Sequence, residues 1–304
     1  MKRIAAFIMM LVSVLSYAQS QSEMLERRYN LIVSQVGQAG LGVETVLNSW
    51  EKVDSTNLKM LLGKFNYYFT KAQTTNIVAK QEKKYLGCDP ILTLKDSLGR
   101  DVYYFQDVEF DDESYGKALK VVNKVIALNP DRLDLKFMKA NAFLEYEKGS
   151  PDMTLNYLMD LSDVGAARTT DWKFAEENKD KKFFQEAMQE YCYNLFAIAT
   201  PSSREAFMKL STKLNKLFPS NNDFLNNIGS YYLVNSDFKS ALKIFSKVLK
   251  KQPDNLTAIQ NSVLASRFIK DSKSEIKYLQ MMVKYAPANE ALTAKARIEA
   301  LNKK

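Results

Sequence analysis

Apolar residues recur with helical spacing through most of this chain. Leu58, Leu61, Leu62, Phe65 and Phe69 form one such stripe, and residues 19–86 read as helices throughout. Tyr115, Ala118, Val122 and Val125, closed by Pro130, form another, and 133–161 reads as a further helix pair with Ala140 and Phe143 inside. The pattern is most regular at the end, where Pro219, Pro253 and Pro287 lie 34 residues apart and each closes an apolar stretch. A proline just past a helix end cannot continue the helix and sets the turn into the next. Short helices in pairs, repeated at a fixed period, are the expectation.

One stretch departs from this pattern. Ile91–Lys95 and Asp101–Phe105 are rich in Thr, Val, Tyr and Phe and flank a five-residue loop containing Gly99. They predict a β-hairpin over 91–105. It falls where a repeat's first helix is expected, either covering the apolar end of the Tyr115–Leu128 helix, the favoured reading, or projecting as an edge for docking.

Between Pro219 and Pro253 stand Leu225, Ile228-Gly229, Tyr232, Ala241 and Phe245. These residues resemble the tetratricopeptide repeat (TPR) pattern W-x2-L-G-x2-Y, A-x3-F, P, with Leu225 in the Trp place. Small Gly229 and Ala241 suit the crossing of two paired helices, with Ile228, Tyr232 and Phe245 filling the space around it. Residues 256–289 keep Ile259, Leu279, Met282 and Pro287 but carry Ser262, Val263 and Glu275 at the other places. Residues 188–221 keep Tyr191, Leu214 and Pro219, with Leu195 and Phe207 where small residues are usual. Pro130 and Pro219 are not a whole number of periods apart, so an insertion around 162–182, including Trp172, interrupts the array. The resemblance implies an all-α, right-handed solenoid of TPR-like helical hairpins, with a small β-hairpin insertion near 91–105. The expected organisation is a signal peptide (1–18), an N-terminal helical region (19–90), the hairpin and an acidic connector (91–113), degenerate repeats with the insertion (114–187), and a regular array with a capping helix over 289–303 (188–304).

The N-terminus changes the picture of location. Lys2 and Arg3, the apolar run Ile4–Leu15 and the small-x-small site Ser16-Tyr17-Ala18 read as a cleaved signal peptide, so the mature chain is expected to be periplasmic or secreted. Export permits disulfides. A Cys88–Cys192 bridge could contribute about 4–5 kcal/mol, but Cys192 lies in an apolar helical run where a free thiol packs as a small hydrophobe.

The chain of 304 residues carries a net charge of +8 and no histidine. Imidazole-based triads, imidazole general bases and HExxH zinc sites are excluded. Residues 221–304 hold 14 Lys and Arg against 7 Asp and Glu, so the cationic excess lies at the C-terminal end. No phosphate loop, CxxC or nucleophile elbow occurs, and no catalytic group, metal or cofactor is expected. Asp107, Glu109, Asp111, Asp112 and Glu113 could hold a hard cation, but they immediately precede a helix, whose positive end favours carboxylates.

TPR arrays line their inner groove with first-helix side chains. The resemblance places Asp223, Asn226, Ser230, Leu233 and Val234 there, then Thr257, Gln260, Leu264, Arg267 and Phe268, and, one repeat earlier, Gln189, Cys192, Phe196 and Ala199. Asn227 and Asn261 occupy places used by family members that clamp a terminal carboxylate, but the Lys and Arg of that clamp are missing. The strongest candidates for holding a protein or peptide are Asn226, Asn227, Ser230, Gln260, Leu264, Arg267 and Phe268. On the second helix, Lys239, Lys243 and Lys247 form an outward stripe, either simply solvated or resting on an anionic surface. Nucleic acid is not expected as a partner, and the oligomeric state stays open. A binding scaffold without catalysis is the leading function. Glycan handling, motivated by Trp50 and Trp172, and a structural role in the cell envelope are the alternatives.

Overall fold

The computed structural model describes the backbone of residues 2–303 and the side chains of residues 19–303. The expected signal peptide and its cleavage site, residues 1–18, lie outside the described side chains. Among the described residues no helix is long and apolar enough to cross a membrane. The chain divides into two compact units, residues 2–146 with 172–179, and residues 147–171 with 180–303.

The first unit begins with helices α1 (Lys2–Val36), α2 (Val43–Val53) and α3 (Leu58–Ala72). Val43, Val46, Leu47 and Trp50 of α2 are buried against Leu25 and Tyr29 of α1 and Met60 and Leu61 of α3. The 3.6-residue period puts these four on one face of α2. The Asn57 side chain caps α3 by accepting from the Met60 amide.

Here the structure corrects the sequence reading. The segment after α3 is not helical: it runs straight into strand β1 (Gln73–Lys80), rich in β-branched Thr74, Thr75, Ile77 and Val78. Strands β2 (Leu92–Lys95) and β3 (Asp101–Phe110) follow, and the sheet order is β1-β3-β2, antiparallel throughout. Gln73 pairs with Phe110, Lys80 with Tyr103, and Leu92 with Tyr104. The expected hairpin is therefore the outer part of a three-stranded sheet, and β3 continues five residues beyond Phe105. Gly99 takes the expected positive φ (76°) in its turn.

The sheet does not replace a first helix. It is inserted inside a helical hairpin, between α3 and α4 (Asp112–Leu128), and the Asp111 amide donates to the Ala72 carbonyl where both helices leave it. Phe65 and Ala72 of α3 pack with Tyr115, Ala118 and Val122 of α4. Phe110 of β3 joins this core beside Phe69, Tyr115 and Tyr146. The acidic run divides between strand and helix. Asp107 and Glu109 lie on β3, Asp111 caps α4 through the Ser114 amide, and Asp112 and Glu113 form its first turn. Helix α5 (Leu133–Glu147) completes the helices of this unit. The expected insertion contains a small hairpin of β4 (Trp172–Phe174) and β5 (Glu177–Lys179), whose Lys173 amide donates to the Asp131 carbonyl.

The second unit comprises α6 (Asp152–Ala167), α7 (Lys181–Ile198), α8 (Pro201–Leu217), α9 (Asn222–Val234), α10 (Phe238–Lys251), α11 (Leu256–Phe268), α12 (Ser272–Tyr285) and α13 (Ala288–Asn302). Helix α7 runs unbroken through 187/188, where an array boundary was expected, and α5 and α6, expected as one pair, belong to different units. The 34-residue period appears in the backbone itself. Asn221 and Asn255 cap α9 and α11, and Asp237 and Asp271 cap α10 and α12. In the turns between paired helices, Ser236 (φ 61°) and Lys270 (φ 58°) are both left-handed. At the α9–α10 crossing, a Cβ on Gly229 would lie 2.5 Å from Phe245 Cε1. Ala241, Phe245 and Val248 are fully buried beside it, in one core with Ala258, Ile259 and Leu279.

Candidate partner-binding wall

The first helices of the second unit are linked side by side through their polar residues. Asn227 and Gln189 form a reciprocal amide pair, at 2.8 and 3.0 Å, that joins α9 to α7. Asn226 donates to Asn255 Oδ1 (3.1 Å), the same oxygen that caps α11 through the Ala258 amide. Gln260 donates to Glu290 Oε2 on α13 (2.7 Å). Three of the predicted groove residues therefore hold the wall together. Burial explains why: Asn226 and Asn227 are both buried, and an amide withdrawn from water must find partners. Among the described residues, Asn226 Oδ1 is the one acceptor of this ladder left unpartnered inside the protein.

The other predicted positions are more open. Ser230 is half-buried, Leu264 is 39% exposed and Phe268 is 59% exposed, its ring stacked on Phe238 at 4.7 Å. Gln260, Leu264 and Arg267 come together in a cleft of about 390 Å³ between α11, α12 and α13. Val263, Leu279, Met282 and Ala294 form its apolar floor. Asn226, Asn227, Ser230 and Phe268 do not line it. On the second helix, Lys239, Lys243 and Lys247 are all exposed, and none makes an ion pair among the described residues. Their opposite face carries the buried Ala241, Phe245 and Val248, as the period requires.

The cleft is organised by a residue that the sequence marks only as a departure from the repeat pattern. Glu275 occupies the place held by Ala241 one repeat earlier and is only 3% exposed. Two guanidinium groups satisfy it: Arg267 Nε at 3.1 Å and Arg297 Nε at 2.8 Å both donate to Oε1, and Arg297 Nη2 reaches Oε2 at 3.3 Å. Burial pushes the Glu275 carboxyl upward, but hydrogen bonds and charge from Arg297 and Arg267 outweigh it and hold the group below its ordinary value. The available signal was the misfit itself, since a carboxylate in a small apolar place must bring cations with it. Arg297 and Glu290 also line the cleft and went unforeseen.

Trp50 and Trp172 are both buried, so neither ring is available to stack on a sugar. Trp50 donates to Ser22 Oγ, and the Trp172 ring lies beneath the Lys136 ammonium. Both cysteines are free, Cys88 exposed and Cys192 buried. Burial pushes the Cys192 thiol up to about 12. No metal-binding group of acidic or cysteine side chains occurs among the described residues.

Repeated caps, left-handed turns and the Gly229–Phe245 crossing together define a helical-hairpin repeat with a 34-residue period, and small antiparallel sheets are inserted elsewhere in the chain. No family model matches the chain and no curated protein matches its sequence. Among solved structures, it is similar to the MamA protein, with 15% identity and a TM-score of 0.34 over 58% of this chain and 88% of that one. It is also similar to the TPR domain of P58(IPK), with 10% identity and a TM-score of 0.32 over 93% of this chain and 66% of that one.

Proposed function

We propose that this protein is an exported scaffold, periplasmic or secreted, that holds a protein segment along the first-helix wall of its second unit and performs no catalysis itself. The observation that carries this reading is the composition of that wall. Its buried amides fix α7, α9 and α11 to one another, while Ser230, Leu264, Arg267 and Phe268 keep open, mixed apolar and polar surface. A rigid wall with exposed apolar anchors suits an extended or helical segment of another protein. Export rests on the sequence of residues 1–18.

The test is a peptide array derived from envelope proteins, probed with the mature chain and with a Leu264→Glu, Phe268→Ser variant. Both residues are exposed, so the variant should keep its fold. Peptides bound by the natural chain and lost by the variant support the reading; equal binding by both counts against it. Mass spectrometry of the expressed protein tests export by locating the new N-terminus at Gln19.

A second reading draws on the unpaired Lys239–Lys243–Lys247 stripe, which would rest on an anionic surface. Co-flotation with phosphatidylglycerol vesicles, abolished by salt, would favour it.

A further inference from the structure

The cleft between α11, α12 and α13 has opposite charges at its two ends. At one end Arg267 and Arg297 share the single Glu275 carboxylate, leaving one positive charge in excess. Arg267 uses only its Nε on Glu275, and among the described residues its Nη groups have no further partner. At the other end, among the described residues, the Glu290 carboxylate is met only by the neutral Gln260 amide. Between the ends lies the apolar floor of Val263, Leu279, Met282 and Ala294. Glu290 and Arg297 are seven residues apart on α13, as Gln260 and Arg267 are on α11. At 1.5 Å per residue the poles are therefore about 10 Å apart.

We propose that this cleft binds an extended protein segment in which an acidic, an apolar and a basic side chain alternate on one face. Residues i, i+2 and i+4 of an extended chain share a face and span about 13 Å, a length that long charged side chains adjust to the poles. The acidic group meets the free Arg267 nitrogens, the apolar group fills the floor, and the basic group meets Glu290. This assignment rests on the scaffold reading above and names the chemistry of its partner at one place on the wall. A uniformly acidic or uniformly basic segment leaves one pole facing a like charge, which selects against it.

The probes are four end-blocked pentapeptides: Asp-Thr-Leu-Thr-Lys, Asp-Thr-Leu-Thr-Asp, Lys-Thr-Leu-Thr-Lys and Asp-Thr-Ser-Thr-Lys. Each is titrated into the ¹⁵N-labelled full mature chain, following amide shifts on α11 and α13. The first should bind best, and the other three more weakly by about tenfold, the factor that 1.4 kcal/mol supplies. Glu290 is half-buried with one hydrogen bond, so Glu290→Lys should fold normally, with an unchanged circular dichroism spectrum. In that variant the order should invert, the doubly acidic peptide becoming the tightest. Equal binding of all four probes, or a Glu290→Lys chain with the natural ranking, overturns the bipolar assignment. The scaffold reading fails separately, when no peptide of any composition on the array depends on Leu264 and Phe268.

Discussion

Gly229→Ala is the sharpest test of the hairpin crossing. The added methyl would stand 2.5, 2.7 and 2.8 Å from three atoms of the Phe245 ring, against an ordinary contact distance of about 3.5–4.0 Å. Phe245 is fully buried and cannot swing clear. Helix propensity favours Ala over Gly by roughly 1 kcal/mol, whereas overpacking a tight core costs about 1–3 kcal/mol. The crossing should therefore lose up to about 2 kcal/mol net. Hydrogen exchange of the α9 and α10 amides is the suitable assay, because it reports on this hairpin rather than on the whole two-unit chain. Phe245→Leu should relieve the clash, so that the double variant loses about 1 kcal/mol less than the sum of the two single changes. If Gly229→Ala instead raised protection by the propensity increment, the close approach inferred from the ring distances would be wrong.

Three further outcomes follow from the same contacts. Because the Glu275 carboxyl sits below its ordinary value of 4.5 in the folded chain, its stabilising contribution is complete above that pH and is lost as pH falls through the lower folded value. Acid titration followed by α12 and α13 amide exchange should show this loss, and Glu275→Gln should abolish that pH dependence. A thiol reagent should modify one cysteine of the native mature chain, exposed Cys88, and reach buried Cys192 only after denaturation; two reactive thiols, or none, would contradict the burial pattern. Trp50→Phe removes the indole N–H that donates to Ser22 while keeping most of the buried bulk, and a loss of about 1 kcal/mol in urea unfolding is expected.

The regular array was legible because its determinants are local and repeated. A proline, a capping Asn or Asp and a small residue at the crossing each act within a few positions, and Pro219, Pro253 and Pro287 display the period directly. The sheet was only half visible. Strand β1 follows α3 with no Gly or Pro to mark the change, and its partner β3 lies some thirty residues away, so its pairing is a non-local fact. The β-branched cluster Thr74, Thr75, Ile77 and Val78 was the one local clue. At the wall, the spacing could assign residues to helix faces but could not say which polar groups were already engaged. The Asn227–Gln189 pair spans 38 positions, and Arg297 lies 22 residues beyond Glu275. Such pairings follow from how neighbouring helices stack, and only Glu275, a carboxylate in an alanine's place, announced that something charged must face it.

Site-specific photocrosslinking in envelope preparations addresses the proposed role most directly. A benzophenone side chain placed at Leu264 or Phe268, on the first-helix wall, should give a discrete adduct with another protein, while the same group at Lys243, on the outer side of α10, should give none. Adducts formed from Lys243 and absent from both wall positions would contradict the assignment of that wall as the binding surface.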